Sequence, residues 1–212
     1  PLMLEFDIEK LSKLAHAKGA TVVVDNTFYS PIYQRPIEEG ADMVLHSATK
    51  YLAGHNDVLA GVVVTNSLEL YEKLFYNLNT TGAVLSPFDS YQLIRGLKTL
   101  SLRMERSTAN AQEIVSFLEQ SPAVKEVLYT GRGGMISFKV ADEKRIPHIL
   151  NTLKVFSFAE SLGGVESLIT YPTTQTHADI PAEVRHSYGL TDDLLRLSIG
   201  IEDARDLIED LR

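Results

Sequence analysis

Apolar residues recur along this chain at two spacings, and the changes between them mark out its elements. Ile8, Leu11, Leu14 and Ala15 fall on one face at helical spacing, behind Asp7, whose carboxylate can cap the first turn. Gly19 stands where a left-handed C-terminal cap belongs. The run Ala20 to Asp25 (ATVVVD) is short and β-branched, the texture of a strand covered on both faces. Ala41 to Ser47 (ADMVLHS) and Ala60 to Asn66 (AGVVVTN) repeat that texture. Ser67 to Asn79 returns to helical spacing through Leu68, Leu70, Tyr71, Leu74 and Phe75.

Ser86-Pro87 is a helix start, with a capping hydroxyl followed by proline in the first turn. The helical pattern then runs from Phe88 to about Leu118, with breaks expected near Gly96 or Ser107, and Pro122 ends it. Beyond it come VKEVLYT, the strand MISFKV behind a connection at Gly131 to Gly134, a helix near Glu143 to Leu153, and VFSFAES. The strand LLRLSIG (Leu194 to Gly200) precedes a last helix from about Glu202. The pattern predicts an α/β chain of two parts: residues 1–112 around a mostly parallel sheet, and a smaller α/β unit over 113–212.

Composition narrows the chemistry. With 212 residues the chain can bury a core without staples, and with no cysteine it has no disulfides, thiolate metal sites or cysteine nucleophile. Its net charge of −8 and lack of a dense basic run argue against a nucleic-acid partner. No stretch is long and apolar enough for a membrane span, and the His residues show no metal-ligand spacing. The chain opens at Pro1 rather than Met, which is expected of a processed or truncated chain.

Common catalytic motifs are absent: there is no G-x-S-x-G, Walker loop, G-x-G-x-x-G or H-E-x-x-H. Two positions stand out instead. Asp25 ends an apolar strand, where open α/β sheets place ligands, although a lone Asp there also serves as a turn or cap residue. Lys50 follows another such strand in HSATK, although a lone loop lysine is ordinarily solvated. Together with Ser47 and Thr49 they supply what pyridoxal phosphate requires: an anion for the pyridine nitrogen, an amine for a Schiff base, and hydroxyls for the phosphate.

The segment Asp42 to Asp57 (DMVLHSATKYLAGHND) resembles the lysine signature of the Cys/Met-metabolism pyridoxal-phosphate enzymes, the transsulfuration group. VVVDNTFYSPIYQRP, LSPFDSYQLIRGLKTLSLRM, AESLGGVESLITYP, QTHADIP and LLRLSIGIED extend the resemblance across nearly the whole chain. It implies the aspartate-aminotransferase-like fold (fold type I), with the N-terminal part of the family fold absent and Lys50 in the cofactor-binding domain. It also implies Lys50 as Schiff-base lysine and proton carrier, Asp25 at the pyridine nitrogen, and Ser47 and Thr49 at the phosphate. Arg196 would grip the substrate α-carboxylate, Ser161 would help orient that carboxylate and Lys50, and Glu160 would meet the distal amino group of cysteine or cystathionine.

The expected reaction is γ-replacement on an O-acylhomoserine by cysteine or another thiol, as in a cystathionine γ-synthase. The alternative is cystathionine cleavage by β- or γ-elimination. A third reading is a non-catalytic fragment, because the family ordinarily carries a further segment with a ring-stacking aromatic and a phosphate loop. The implied partners are a small amino-acid substrate and other copies of the chain in a homotetramer built from dimers, in the cytoplasm, with no metal, membrane or nucleic acid.

Overall fold

The computed structural model describes all residues, 1–212, and they form two compact units. One unit is Glu5–Ser101, and the other joins Pro1–Leu4 to Leu102–Arg212. The expected division at 112/113 lies inside a helix, α5 below.

In the first unit, helix α1 (Ile8–His16) starts where Asp7 accepts from the Lys10 N–H. Strands β1 (Val23–Asp25), β2 (Met43–Ser47) and β3 (Gly61–Val64) form one sheet in that order. A short helix, α2 (Ser30–Tyr33), lies between β1 and β2 in the chain. β1 pairs parallel to β2, while β3 runs antiparallel. The sheet is therefore mixed: after β2 the chain turns back without the crossover that a parallel neighbour needs. Burial on both faces is not found. Asp25, Leu45 and Val63 share a row across the sheet, and Val23, Leu45 and Val63 remain 46, 36 and 46% exposed. That face of the sheet is only partly covered.

α3 (Leu68–Thr81) is capped by Ser67 and closed by Gly82 in the left-handed region, φ 69°. α4 (Pro87–Leu97) is capped by Ser86, whose hydroxyl accepts from the Asp89 N–H. The helical pattern breaks at Lys98-Thr99 and resumes as α5 (Leu100–Gln120).

The second unit places β4 (Val124–Leu128), β5 (Met135–Val140), β6 (Ser157–Phe158), β7 (Leu168–Thr170) and β8 (Leu194–Ser198) in one sheet, ordered β4-β5-β8-β7-β6. All neighbours are antiparallel except β6 and β7. Gly131 to Gly134 form the β4–β5 connection, with Gly131 and Gly133 at positive φ. Helices α6 (Ile146–Thr152), α7 (Ala182–Ser187) and α8 (Ala204–Asp210) complete the unit.

Alternation divides the two faces of this sheet. Ile136, Phe138, Ile169, Leu195 and Leu197 point to the core against Ala111, Ile114 and Leu118 of α5 and Leu207 of α8. The residues between them, Ser137, Thr170, Arg196 and Ser198, are polar, buried and on the other face. The core face is apolar, while the other sets these polar residues beside the buried Met135, Leu168 and Leu194.

Candidate active site

Two groups of residues carry chemistry, one in each unit. In the first, Asp25 ends β1 and is register-paired with Leu45, two residues before Ser47. Its Oδ1 accepts from the Thr27 N–H at 3.0 Å and from the Thr27 hydroxyl at 2.6 Å. Thr27 Oγ1 in turn accepts from the Ser47 N–H at 2.8 Å. Thr27 thus ties the end of β1 to the end of β2 and fixes the carboxylate. Asp25 Oδ2 makes no hydrogen bond in the chain, and neither does Ser47 Oγ. An acceptor and a hydroxyl are left available beside each other's strands.

His46 lies beside this ladder, 7% exposed, with Nδ1 unpartnered. Burial holds its pKa below the usual histidine value, and the negative charge of Asp25 opposes that shift.

Lys50 sits in the turn after β2. Its N–H donates to Ser47 O at 3.1 Å and its carbonyl accepts from the Gly54 N–H at 2.8 Å. Ala48, Tyr51, Leu52 and Ala53 around it are 0 to 5% exposed, so burial anchors the turn while Lys50 remains half-buried. Gly96 of α4 abuts the same turn: a Cβ there would stand 2.3 Å from Ala53 O and 2.7 Å from Leu52 O. Thr49 has a structural task, since its hydroxyl accepts from Ala60 N–H at 3.0 Å and reaches Ala60 O at 3.3 Å. To donate to a phosphate it must release that carbonyl.

The second group lies on the polar face of the other sheet. Arg196, 6% exposed, donates through Nη2 to Glu160 O at 3.2 Å and to Thr170 Oγ1 at 3.3 Å. Ser198 Oγ accepts from the Gly163 N–H at 2.8 Å, so both residues of β8 hold the segment that contains Ser161. The Glu160 carboxylate is exposed and makes no hydrogen bond in the chain; only its carbonyl is engaged. His177 has its pKa held below the usual value, first by burial, with the positive charges of Arg196 and Arg185 adding to it.

Asp25, Ser47, Thr49 and Lys50 are thus brought together in one unit, and Glu160, Ser161 and Arg196 in the other. Sequence reasoning missed Thr27 and Thr170. A hydroxyl two residues beyond the strand-end carboxylate was a usable signal for Thr27, since such pairs form local turns. The first group fits pyridoxal phosphate: a carboxylate oxygen for the pyridine N–H, a primary amine, and hydroxyls for the phosphate.

Comparison with known proteins agrees with this chemistry. The family model for Cys/Met metabolism PLP-dependent enzymes matches residues 1–212. A cystathionine gamma-synthase/O-acetylhomoserine (thiol)-lyase of Bacillus subtilis is 56% identical over 212 residues, covering 100% of this chain and 57% of that protein. A cystathionine gamma-synthase of Haemophilus influenzae is 53% identical over 211 residues, again with 57% of its length covered. Among solved structures, a cystathionine gamma synthase of Xanthomonas oryzae in complex with aminoacrylate and cysteine superposes with a TM-score of 0.96 at 42% identity, covering 100% of this chain and 59% of that one. The chain therefore spans less than two thirds of these relatives, and over that span it belongs to the Cys/Met metabolism family of pyridoxal-phosphate-dependent enzymes.

Proposed function

We propose that the protein performs γ-replacement, joining an O-acylhomoserine to cysteine or another thiol with release of the carboxylic acid. The observation that carries this reading is the Asp25–Thr27–Ser47 ladder beside the anchored Lys50 turn, in a chain 56% identical to a cystathionine gamma-synthase/O-acetylhomoserine (thiol)-lyase. Asp25 Oδ2 supplies the anion for the cofactor's ring nitrogen, and the hydroxyls of Ser47 and Thr49 bind its phosphate. Lys50 holds the cofactor, takes the proton from the substrate Cα and carries protons between substrate carbons. When bound, the cofactor supplies an electron sink for the carbanion formed at Cα. Arg196 binds the α-carboxylate through its planar fork, Ser161 helps to orient it, and the unengaged Glu160 carboxylate meets the distal ammonium group. On this reading the protein acts on small amino acids, as a homo-oligomer in the cytoplasm.

The test uses the complete protein with O-acetyl- or O-succinylhomoserine and cysteine. Cystathionine is the expected product, and its absence overturns the reading. Lys50→Ala is expected to abolish both the visible absorbance of the lysine-bound cofactor and its trapping by borohydride.

Cystathionine cleavage is the second reading, favoured by the 50% identity to a cystathionine gamma-lyase of Bacillus subtilis and 49% to a cystathionine beta-lyase of Lactococcus lactis. Pyruvate and homocysteine released from cystathionine would establish β-elimination, and 2-oxobutyrate with cysteine γ-elimination. Residues 1–212 alone, assayed for cofactor binding, separate both from a non-catalytic piece.

A further inference from the structure

Arg196 lies mid-strand on β8 with a hydroxyl residue in register on each side, Ser137 on β5 and Thr170 on β7. All three are buried, Ser137 and Thr170 almost wholly. The two hydroxyls are not equivalent. Ser137 Oγ has no hydrogen-bond partner. Thr170 Oγ1 accepts from Arg196 Nη2 at 3.3 Å and donates to Ala159 O at 2.8 Å. The same Nη2 donates to Glu160 O at 3.2 Å. One guanidinium nitrogen is thus tied to the Ala159-Glu160 segment twice, directly and through Thr170. Because the guanidinium is planar, holding Nη2 restricts the direction of the whole fork.

We infer that Thr170 is a positioning residue for Arg196. Its hydroxyl holds the guanidinium plane and the Ala159-Glu160 backbone in one arrangement, so that the fork meets a substrate carboxylate already oriented. This rests on the reading of Arg196 as the carboxylate clamp. Position 170 then acts on amino-acid affinity and leaves the chemistry at Cα to Lys50. Valine has nearly the shape of threonine but can neither accept from Arg196 nor donate to Ala159. Serine keeps both bonds.

The experiment is steady-state kinetics on the complete, cofactor-loaded protein, with melting temperature and cofactor absorbance recorded for every variant. Thr170→Val is expected to raise KM for the amino-acid substrate about tenfold, the effect of losing one hydrogen bond to a charged group. Its kcat should stay within about threefold, as for lost binding that is equal in ground and transition states. Thr170→Ser should restore KM, and Ser137→Ala, on the other side of Arg196, should leave it unchanged. Thr170→Ala repeats the measurement without the branched side chain. A wild-type KM in Thr170→Val, no rescue by serine, or an equal KM rise in Ser137→Ala overturns the inference. Failure of both Thr170→Val and Thr170→Ala to fold also overturns it, by making the hydroxyl a determinant of folding. Arg196→Ala separates the two levels: if it leaves KM unchanged, the clamp reading itself fails. If it raises KM while Thr170→Val does not, only the role of Thr170 fails.

Discussion

The Thr27 hydroxyl donates to Asp25 Oδ1 at 2.6 Å, and the Thr27 N–H reaches the same oxygen at 3.0 Å. The carboxylate is therefore held on one oxygen only, and its Oδ2 keeps a fixed direction. Thr27→Val removes the hydroxyl bond and also leaves the Ser47 N–H without its acceptor. Loss of a hydrogen bond to a charged group costs about 1.5–3 kcal/mol. Cofactor binding should accordingly weaken tenfold or more, read by titration of the cofactor's visible absorbance into apoprotein. Thr27→Ser should bind as the native protein does. Native affinity in the valine variant would show that the ladder plays no part in holding the site.

Gly96 carries a second prediction. The glycine is needed for space, because a Cβ would stand 2.3 Å from Ala53 O and 2.9 Å from Ala53 C, backbone atoms three residues beyond Lys50. Gly96→Ala must push α4 and the Lys50 turn apart. Overpacking of this kind costs about 1–3 kcal/mol or more. The variant should melt several degrees lower and lose cofactor at a lower temperature than native protein. An unchanged melting curve would mean that α4 yields without cost.

These cases show what could be read in advance and what could not. Asp7 and Ser86 cap helices as their side chains and positions predict, because a cap is a local device. Asp25 and Lys50 could be proposed from the sequence because strand ends are where such sheets place their chemistry. Gly96 was legible only as a break in the helical pattern. What the residue accommodates, the carbonyls of Leu52 and Ala53, is distant in the chain. Thr170 was hidden for the same reason, its partner Arg196 being 26 positions away and joined to it only by strand register. The strand Leu168–Thr170 and the helix Ala182–Ser187 are too short to impose a periodicity of their own.

Asp42 predicts a pH dependence. Its Oδ2 accepts from the Val22 N–H at 2.7 Å and meets His16 Nε2 at 2.9 Å, joining α1 to the strands. The Val22 bond first and His16 second hold its pKa below the ordinary carboxylate value. A carboxyl whose pKa is lowered by folding stabilises the fold above its unfolded-state pKa, and that contribution is lost as pH falls through the folded value. Asp42→Asn should therefore lower the denaturation midpoint at neutral pH. The gap should close as the pH drops below about 4, where the unfolded carboxyl titrates. A gap independent of pH would mean that the amide fails for reasons of shape and not of charge.

Glu202 and Gly200 secure the chain where it leaves β8, four residues beyond Arg196 in the case of Gly200. Glu202 Oε1 accepts from the Ser167 N–H at 2.6 Å and Oε2 from its hydroxyl at 2.9 Å, while Ser167 Oγ accepts from the Gly200 N–H at 2.9 Å. Asn110 Nδ2 of α5 donates to both Gly200 O and Glu202 O, binding this corner to the helix. Glu202→Gln can keep Oε1 on the Ser167 N–H and reverse the hydroxyl bond, with Nε2 donating to Ser167 Oγ, but it removes the charge that makes both bonds strong, at about 1 kcal/mol or more. Ser167→Ala removes the hydroxyl shared by Glu202 and Gly200. Because both changes weaken the same Glu202–Ser167 contact, the double variant should lose less stability in denaturant titration than the two single losses added together. Additive losses would mean that the two side chains act independently. The Gly200 site is stricter still: a Cβ would lie 2.2 Å from Val165 O and 2.8 Å from Glu166 C. Gly200→Ala should therefore destabilise the protein more than Glu202→Gln does, since backbone must move where the glutamine variant only loses a charge.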